Sequence, residues 1–203
     1  MSRIKDIKNH TNTRFLNFYE LSAERRDGAV YPYYMASRAK DSSNLKINTR
    51  NNTPDGVIIY SLYGEQKDKV VLVKQYRYPI DDYIYELPAG LVEPDEDMEN
   101  AAVREMFEET GLTFTPLTVP EGYTKARYSS IGMTDESCGT VYGYASGTPT
   151  NSHQEASEDI QIVLADREEC RRILKEENVC IRCAYMLMHF IHDTEDPFGF
   201  LKI

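Results

Sequence analysis

Tryptophan is absent from this 203-residue chain, and basic side chains are in deficit, 23 Lys and Arg against 33 Asp and Glu. The formal charge is −10, with no basic stripe in view. That speaks against a nucleic-acid binder, which gathers Lys and Arg on one face to neutralise phosphates. A phosphate ester remains approachable if metal ions lie between the two negative partners. No apolar run reaches the length of a membrane span, and the opening MSRIKDIKNHTNTRF lacks the apolar stretch of a signal peptide. Cysteine is limited to Cys138, Cys170, Cys180 and Cys183, whose number and spacing do not form a disulfide framework. A reducing cytoplasm, no membrane and no nucleic-acid partner are therefore expected.

What is present fits a folded domain: 41% hydrophobic and 28% charged residues, with 15 Tyr carrying most of the aromatic content. Tyr suits half-buried strands and ligand-pocket walls alike. Cys180 and Cys183 form a CxxC with His189 and His192 close behind. Without a second CxxC, these residues read as part of an amphipathic C-terminal helix whose apolar contacts come from Ile181, Ala184, Tyr185, Leu187, Met188 and Ile191.

Along the chain, aromatic and polar residues alternate over 14–37 around a turn near Asp27-Gly28, which predicts a small antiparallel sheet. The polar stretch 38–55 reads as a loop or linker. Strands are predicted at 56–63, 69–78, 83–87, 140–146 and 159–165, and helices at 95–110, 165–178 and 180–193. The mixture predicts an α/β layer fold over 56–203, preceded by a small β appendage and linker over 1–55.

Chemistry concentrates in GLVEPDEDMENAAVREMFEETGL, residues 90–112. At 3.6 residues per turn, Glu105, Glu108 and Glu109 project from one helix face, while Ala102, Val103, Met106 and Phe107 are left for a core. Like charges at this spacing repel by about 0.2–0.5 kcal/mol per exposed pair. A solvated acidic face is one account of them. The other is an all-oxygen cation site, because Pro88-Ala89-Gly90 supplies a sharp loop able to turn a carbonyl toward the carboxylates.

This segment resembles the Nudix box, whose fixed positions are filled in register by Gly90, Glu96, Arg104, Glu105, Met106, Glu108, Glu109, Gly111 and Leu112. The resemblance implies an α/β/α sandwich with a mixed sheet. It also implies a site binding Mg²⁺, with Mn²⁺ as the alternative, through Glu105, Glu109, Glu108 and the carbonyl of Ala89. Glu96 and Arg104 would pair to hold the loop on the helix. Glu108 is counted among the catalytic candidates as well. A general base is expected outside the box, in EASEDIQ at 155–161. Glu158 is the first choice and Glu155 the second, with a plain acidic loop as the alternative.

Residues 56–112 resemble the nucleoside-diphosphate-sugar branch, in Gln75-Tyr76-Arg77 and in Glu86-Leu87-Pro88-Ala89-Gly90. Arg77 and Glu86 are candidate substrate-binding residues, since a guanidinium can fork onto a diphosphate. Met133, in Gly132–Glu136, is a candidate beside the sugar. Where that branch often carries a Ser-Pro pair about fifteen residues past the box, this chain has Ser130-Ile131. The resemblance further implies a homodimer formed through the appendage, with Tyr19, Tyr31, Tyr33 and Tyr34 as stacking candidates. The expected substrate is a small nucleotide diphosphate, with ADP-ribose cut to AMP and ribose 5-phosphate. The alternatives are a dinucleotide polyphosphate, coenzyme A, a capped RNA end, or a sensor that binds without turnover.

Overall fold

A computed structural model describes residues 2–155 and 158–202. The chain divides into two compact units, one of 1–55 with 126–138 and one of 56–125 with 139–203. The sequence predicts one boundary, at 55/56. The segment Ala126–Cys138 instead belongs with the first unit, because it is bonded there by several groups. Tyr33 Oη donates to the Gly132 carbonyl at 2.6 Å, and Ala36 N–H to the Met133 carbonyl at 2.8 Å. Arg38 pairs with Glu136 at 2.9 Å, and Lys46 Nζ reaches both Asp55, at 2.6 Å, and Ser137 Oγ.

The first unit is built on an antiparallel sheet in the order β1 (Ile4–Asn9), β2 (Asn17–Glu24), β3 (Val30–Ser37). Along β2, Asn17, Tyr19, Leu21 and Ala23 are buried and the residues between them are more exposed, the period-two pattern of a sheet with one covered face. Tyr19, Leu21, Met35 and Leu45 form its core. The stretch 38–55 is not entirely loop, since it holds the single helical turn α1 (Lys46–Thr49). Strand β1 lies in a polar stretch whose alternation is too weak to mark it in the sequence.

In the second unit, strands β4 (Gly56–Tyr63), β5 (Lys69–Arg77), β6 (Asp82–Glu86), β7 (Ala89–Leu91) and β8 (Thr113–Pro116) surround helix α2 (Met98–Thr110) in the chain. There follow a turn α3 (Glu121–Thr124), the short β9 (Arg127–Tyr128) of the first unit, β10 (Ser137–Ser146), β11 (Ile160–Ala165), α4 (Arg167–Glu176) and α5 (Ile181–His192). The sheet runs β11-β5-β4-β10-β8, with β6 paired to β5 and β7 to β4. The ladders of β5 with β11 and β6 are antiparallel, and Tyr85 makes an isolated parallel bridge to Val179, a residue outside the strands.

Seven consecutive residues of β4 are buried, as expected of a strand covered on both faces. Val57 and Ile59 pack with Val71, Val141, Ala145 and the α2 residues Ala101, Ala102 and Met106. Tyr60 alternates to the other side, where its ring meets Tyr142 and Phe198 edge-on. Cys170, Ile173, Cys183, Leu187 and Phe190 of α4 and α5 are fully buried. The sequence pattern puts Ile181, Tyr185 and Met188 among the packing residues of α5, but these are exposed and the buried stripe is Cys183, Leu187 and Phe190. Val103 and Phe107 of α2 are likewise more exposed than the pattern implies.

Helix α2 begins three residues later than expected, because Asp97 caps it by accepting from the Asn100 N–H at 2.8 Å. It ends at Gly111, which sits in the left-handed region at φ 69°. A Cβ there would fall 2.3 Å from Thr150 Cγ2 and 3.1 Å from the Thr150 carbonyl oxygen. Gly111→Ala should therefore cost about 1–3 kcal/mol, combining left-handed strain with the clash. Chemical denaturation of the two proteins checks this, and an unchanged midpoint would show that the turn relaxes freely.

Candidate active site

Strand β4 changes partner along its length. Its C-terminal end pairs with β5, Leu62 opposite Val70, whereas its N-terminal end pairs with β7, Val57 opposite Gly90 and Ile58 opposite Ala89. Pro88 contributes a carbonyl that accepts from Ile59 N–H at 2.8 Å. This register lays Ala89-Gly90 across α2. Gly90 is required by the approach: a Cβ there would lie 1.8 Å from the Glu105 carboxyl carbon. The sequence predicts a bare loop at Pro88–Gly90, and the structure makes Ala89–Leu91 a short strand.

Ala89, Gly90 and Leu91, with Glu93, Arg104, Glu105 and Glu108, line a cavity of about 330 Å³ whose remaining wall is Glu155 and Glu158. Glu109 lies beneath, 3% exposed, its Oε2 accepting from the Ala89 N–H at 3.2 Å. The contact Ala89 makes with the cluster is thus through its amide. Burial pushes the Glu109 carboxyl well above the usual carboxylate range, and the charges of Glu105 and Glu158 add to the effect. Glu105 is also pushed up, first by burial, and is partly offset by its bond to Arg104.

Arg104 holds this end of the helix. Its Nη2 bonds Glu96 at 2.8 Å and the Leu91 carbonyl at 2.9 Å, and its Nη1 bonds Glu105 at 2.8 Å and Glu108 at 3.0 Å. The bond to Arg104 holds Glu96 below the usual carboxylate range. Because one guanidinium takes up both Glu105 and Glu108, and Ala89 takes up Glu109, the three carboxylates do not converge on a single point. No group of three or more His, Cys, Asp or Glu is poised around one cation position among the described residues.

The chemistry of the donors nevertheless suits a divalent cation. The set is all oxygen and partly desolvated, and Glu109 sits under the charges of Glu105 and Glu158, with Arg77 offsetting them in part. A hard cation is the ligand that relieves such a cluster.

Arg77 Nε bonds Glu86 Oε2 at 2.6 Å, so these two candidates are brought together. Met133 is an exposed residue of the first unit. Tyr19 is a core residue of the first unit, while Tyr34 is exposed and stacks on Phe18. Sequence reasoning misses Glu93, which lines the cavity, Gln154, whose amide donates to the Glu109 carbonyl, and Tyr83, whose hydroxyl donates to Asp159 Oδ2. Glu93 falls at an unspecified position of the box, and nothing in the local pattern marks the other two. A larger depression of about 500 Å³ is lined by His189, His192, Asp193, Glu195 and Asp196, which likewise form no group poised around one cation among the described residues.

A NUDIX domain family model matches residues 52–177. The chain belongs to the Nudix family. Among similar proteins, a Bacillus subtilis ADP-ribose pyrophosphatase is 39% identical over 83 residues, covering 41% of this chain and 42% of that protein. A Saccharomyces cerevisiae ADP-ribose pyrophosphatase is 42% identical over 59 residues, covering 29% and 26%. A Caenorhabditis elegans protein named among the nudix hydrolases is 34% identical over 129 residues, covering 58% and 56%. The chain thus spans about half the length, or less, of these curated relatives. A crystal structure of an ADP compounds hydrolase superposes with a TM-score of 0.59 over 91% of this chain and 89% of that one, at 16% identity, a likeness of fold. Nudix hydrolases generally use divalent metals. No helix among the described residues is long and apolar enough to cross a membrane.

Proposed function

We propose that this Nudix chain hydrolyses the diphosphate linkage of a nucleoside diphosphate sugar, with ADP-ribose giving AMP and ribose 5-phosphate. The observation that carries the proposal is that Glu155 and Glu158, far along the chain, line the same cavity as Glu105, Glu108 and the Ala89–Leu91 backbone. The names of the Bacillus and yeast relatives support the substrate class. We assign Mg²⁺, or Mn²⁺, to Glu105, Glu108, Glu109 and Ala89. When bound, such a cation offsets the charge on phosphate oxygens.

The protein's own groups do the rest. Glu158, with Glu155 beside it, accepts the proton of the attacking water. Arg77, oriented by Glu86, pairs with the diphosphate, and its exposure leaves the guanidinium reachable. Arg104 and Glu96 keep the Gly90 loop on the helix. The first unit, with its exposed Phe18–Tyr34 pair, serves as the dimer surface.

The test is a panel of ADP-ribose, other nucleoside diphosphate sugars, dinucleotide polyphosphates, coenzyme A and capped RNA with Mg²⁺ in ¹⁸O-water. Products read by mass spectrometry fix the bond cut, and exclusive turnover of another class would displace ADP-ribose and its relatives as the substrate. Within that assay, Glu158→Gln should lower kcat roughly 10²–10⁴-fold with little change in KM. An unchanged pH–rate profile in that variant would transfer the role to Glu155.

A further inference from the structure

A loop carboxylate can serve as a base only if the loop is held, and this one is tied on both sides. Before Glu155, Thr150 N–H donates to the Thr110 carbonyl at 2.9 Å and Gln154 Nε2 donates to the Glu109 carbonyl at 2.7 Å. The His153 ring lies against Phe107 with centroids 4.3 Å apart. After Glu158, Tyr76 N–H donates to the Asp159 carbonyl at 3.0 Å and Tyr83 Oη to Asp159 Oδ2 at 2.5 Å. Glu155 and Glu158 also hold each other, through Glu158 N–H on the Glu155 carbonyl at 3.0 Å and Glu155 N–H on Glu158 Oε2 at 3.1 Å.

Of these ties, the bond from Gln154 is singular in what it joins. Its donor is the residue immediately before Glu155, and its acceptor is the main chain of Glu109, the most deeply buried acid of the cluster. The helix leaves that carbonyl without an intrahelical partner, so a side-chain amide is the natural donor to it. A glutamate or aspartate at 154 would have no proton to give. A methionine would fill the space and make no bond.

We propose that Gln154 is a positioning residue for hydrolysis: its amide fixes the spacing between the loop acids Glu155 and Glu158 and the helix acids Glu105 and Glu109. It touches neither substrate nor the reacting atoms. This role rests on the hydrolase reading above. Its size follows from the sensitivity of bound geometry, since a displacement of about 1 Å costs up to about 100-fold in rate.

The experiment compares the full chain with Gln154→Met, using ADP-ribose and Mg²⁺, in two backgrounds: native, and Glu155→Gln with Glu158→Gln. In the native background kcat should fall about 10–100-fold with KM within about twofold. In the second background the same substitution should cost less than about twofold, because the groups it positions are already disabled. Hydrogen–deuterium exchange without substrate should rise in the peptide spanning Thr150–Glu155 and stay level in the β-sheet, with the melting temperature shifted by less than about 2 °C.

An equal rate penalty in both backgrounds would overturn the proposal, as would unchanged exchange at Thr150–Glu155. A general loss of protection and melting temperature would overturn it in favour of a purely structural part. Wild-type protein that consumes no member of the substrate panel would overturn the hydrolase reading and the positioning role together. Active wild type with an unaffected variant would overturn the positioning role alone.

Discussion

Glu109→Gln should make the metal-free protein more stable at neutral pH and remove most of its turnover. Burial, together with the charges of Glu105 and Glu158, disfavours the ionised form of Glu109 in the folded state. Its folded pKa is therefore raised above the unfolded value. Below the unfolded pKa of about 4.3 the carboxyl is protonated in both states and costs nothing. As pH rises past that point the unfolded chain loses its proton more readily, and the folded state is progressively penalised until the folded pKa is passed. Gln keeps an oxygen for the Ala89 N–H and carries no charge.

The gain should be greatest near pH 7 and shrink toward pH 4, where the carboxyl is protonated in both states. With Mg²⁺ the order should reverse, because the wild type gains from binding what the variant cannot. The rate should fall roughly 10²–10³-fold or more, the scale for removing one preorganised electrostatic group. Melting curves in chelator across pH 4–8 make the comparison. A variant that is no more stable at pH 7, or that turns over normally at saturating metal, would dispose of the burial argument or of the ligand assignment respectively.

The second large effect is expected at Gly90→Ala. The added methyl would sit 1.8 Å from Glu105 Cδ, 1.9 Å from Oε1 and 2.2 Å from Oε2. The obstructing atoms are the end of a flexible side chain, so the backbone can stay and the carboxylate must move. Stability should change by less than about 1 kcal/mol, while activity drops roughly 100-fold and the concentration of Mg²⁺ needed for half-activity rises. Titration of the rate with metal, beside a denaturation curve, separates the two. A fully active variant would mean that Glu105 swings aside without loss to the site, and a variant that fails to fold would mean that β7 moved instead.

These two positions also show what the chain makes legible. The Glu105, Glu108, Glu109 stripe is a local consequence of helical periodicity, and Gly90 and Gly111 are marks of close approach and of a helix end. The stripe and the helix end depend on neighbours in sequence, whereas what Gly90 approaches is Glu105 on another element. Strands β4 and β5 are visible for the same reason, as runs of apolar residues. What escapes are properties set across the fold. Strand β7 pairs with the N-terminal end of β4, which the β5 ladder does not reach, and no pattern in Ala89-Gly90-Leu91 encodes that. The segment Ala126–Cys138 joins the first unit through bonds from Tyr33, Ala36, Arg38 and Lys46, all distant in sequence. The competition of Arg104 for Glu105 and Glu108 is hidden too, since the pattern indicates a link to Glu96 only.

The C-terminal end of α2 has one more effect on how the molecule moves. Two carbonyls that a helix terminus would ordinarily surrender to water, those of Glu109 and Thr110, are claimed by Gln154 and Thr150. Fraying of the helix and departure of the distant segment are consequently one event. Neither can occur without stranding the other's partners, so excursions at this end of the helix should be rarer, and more all-or-none, than the surface position of the segment would suggest.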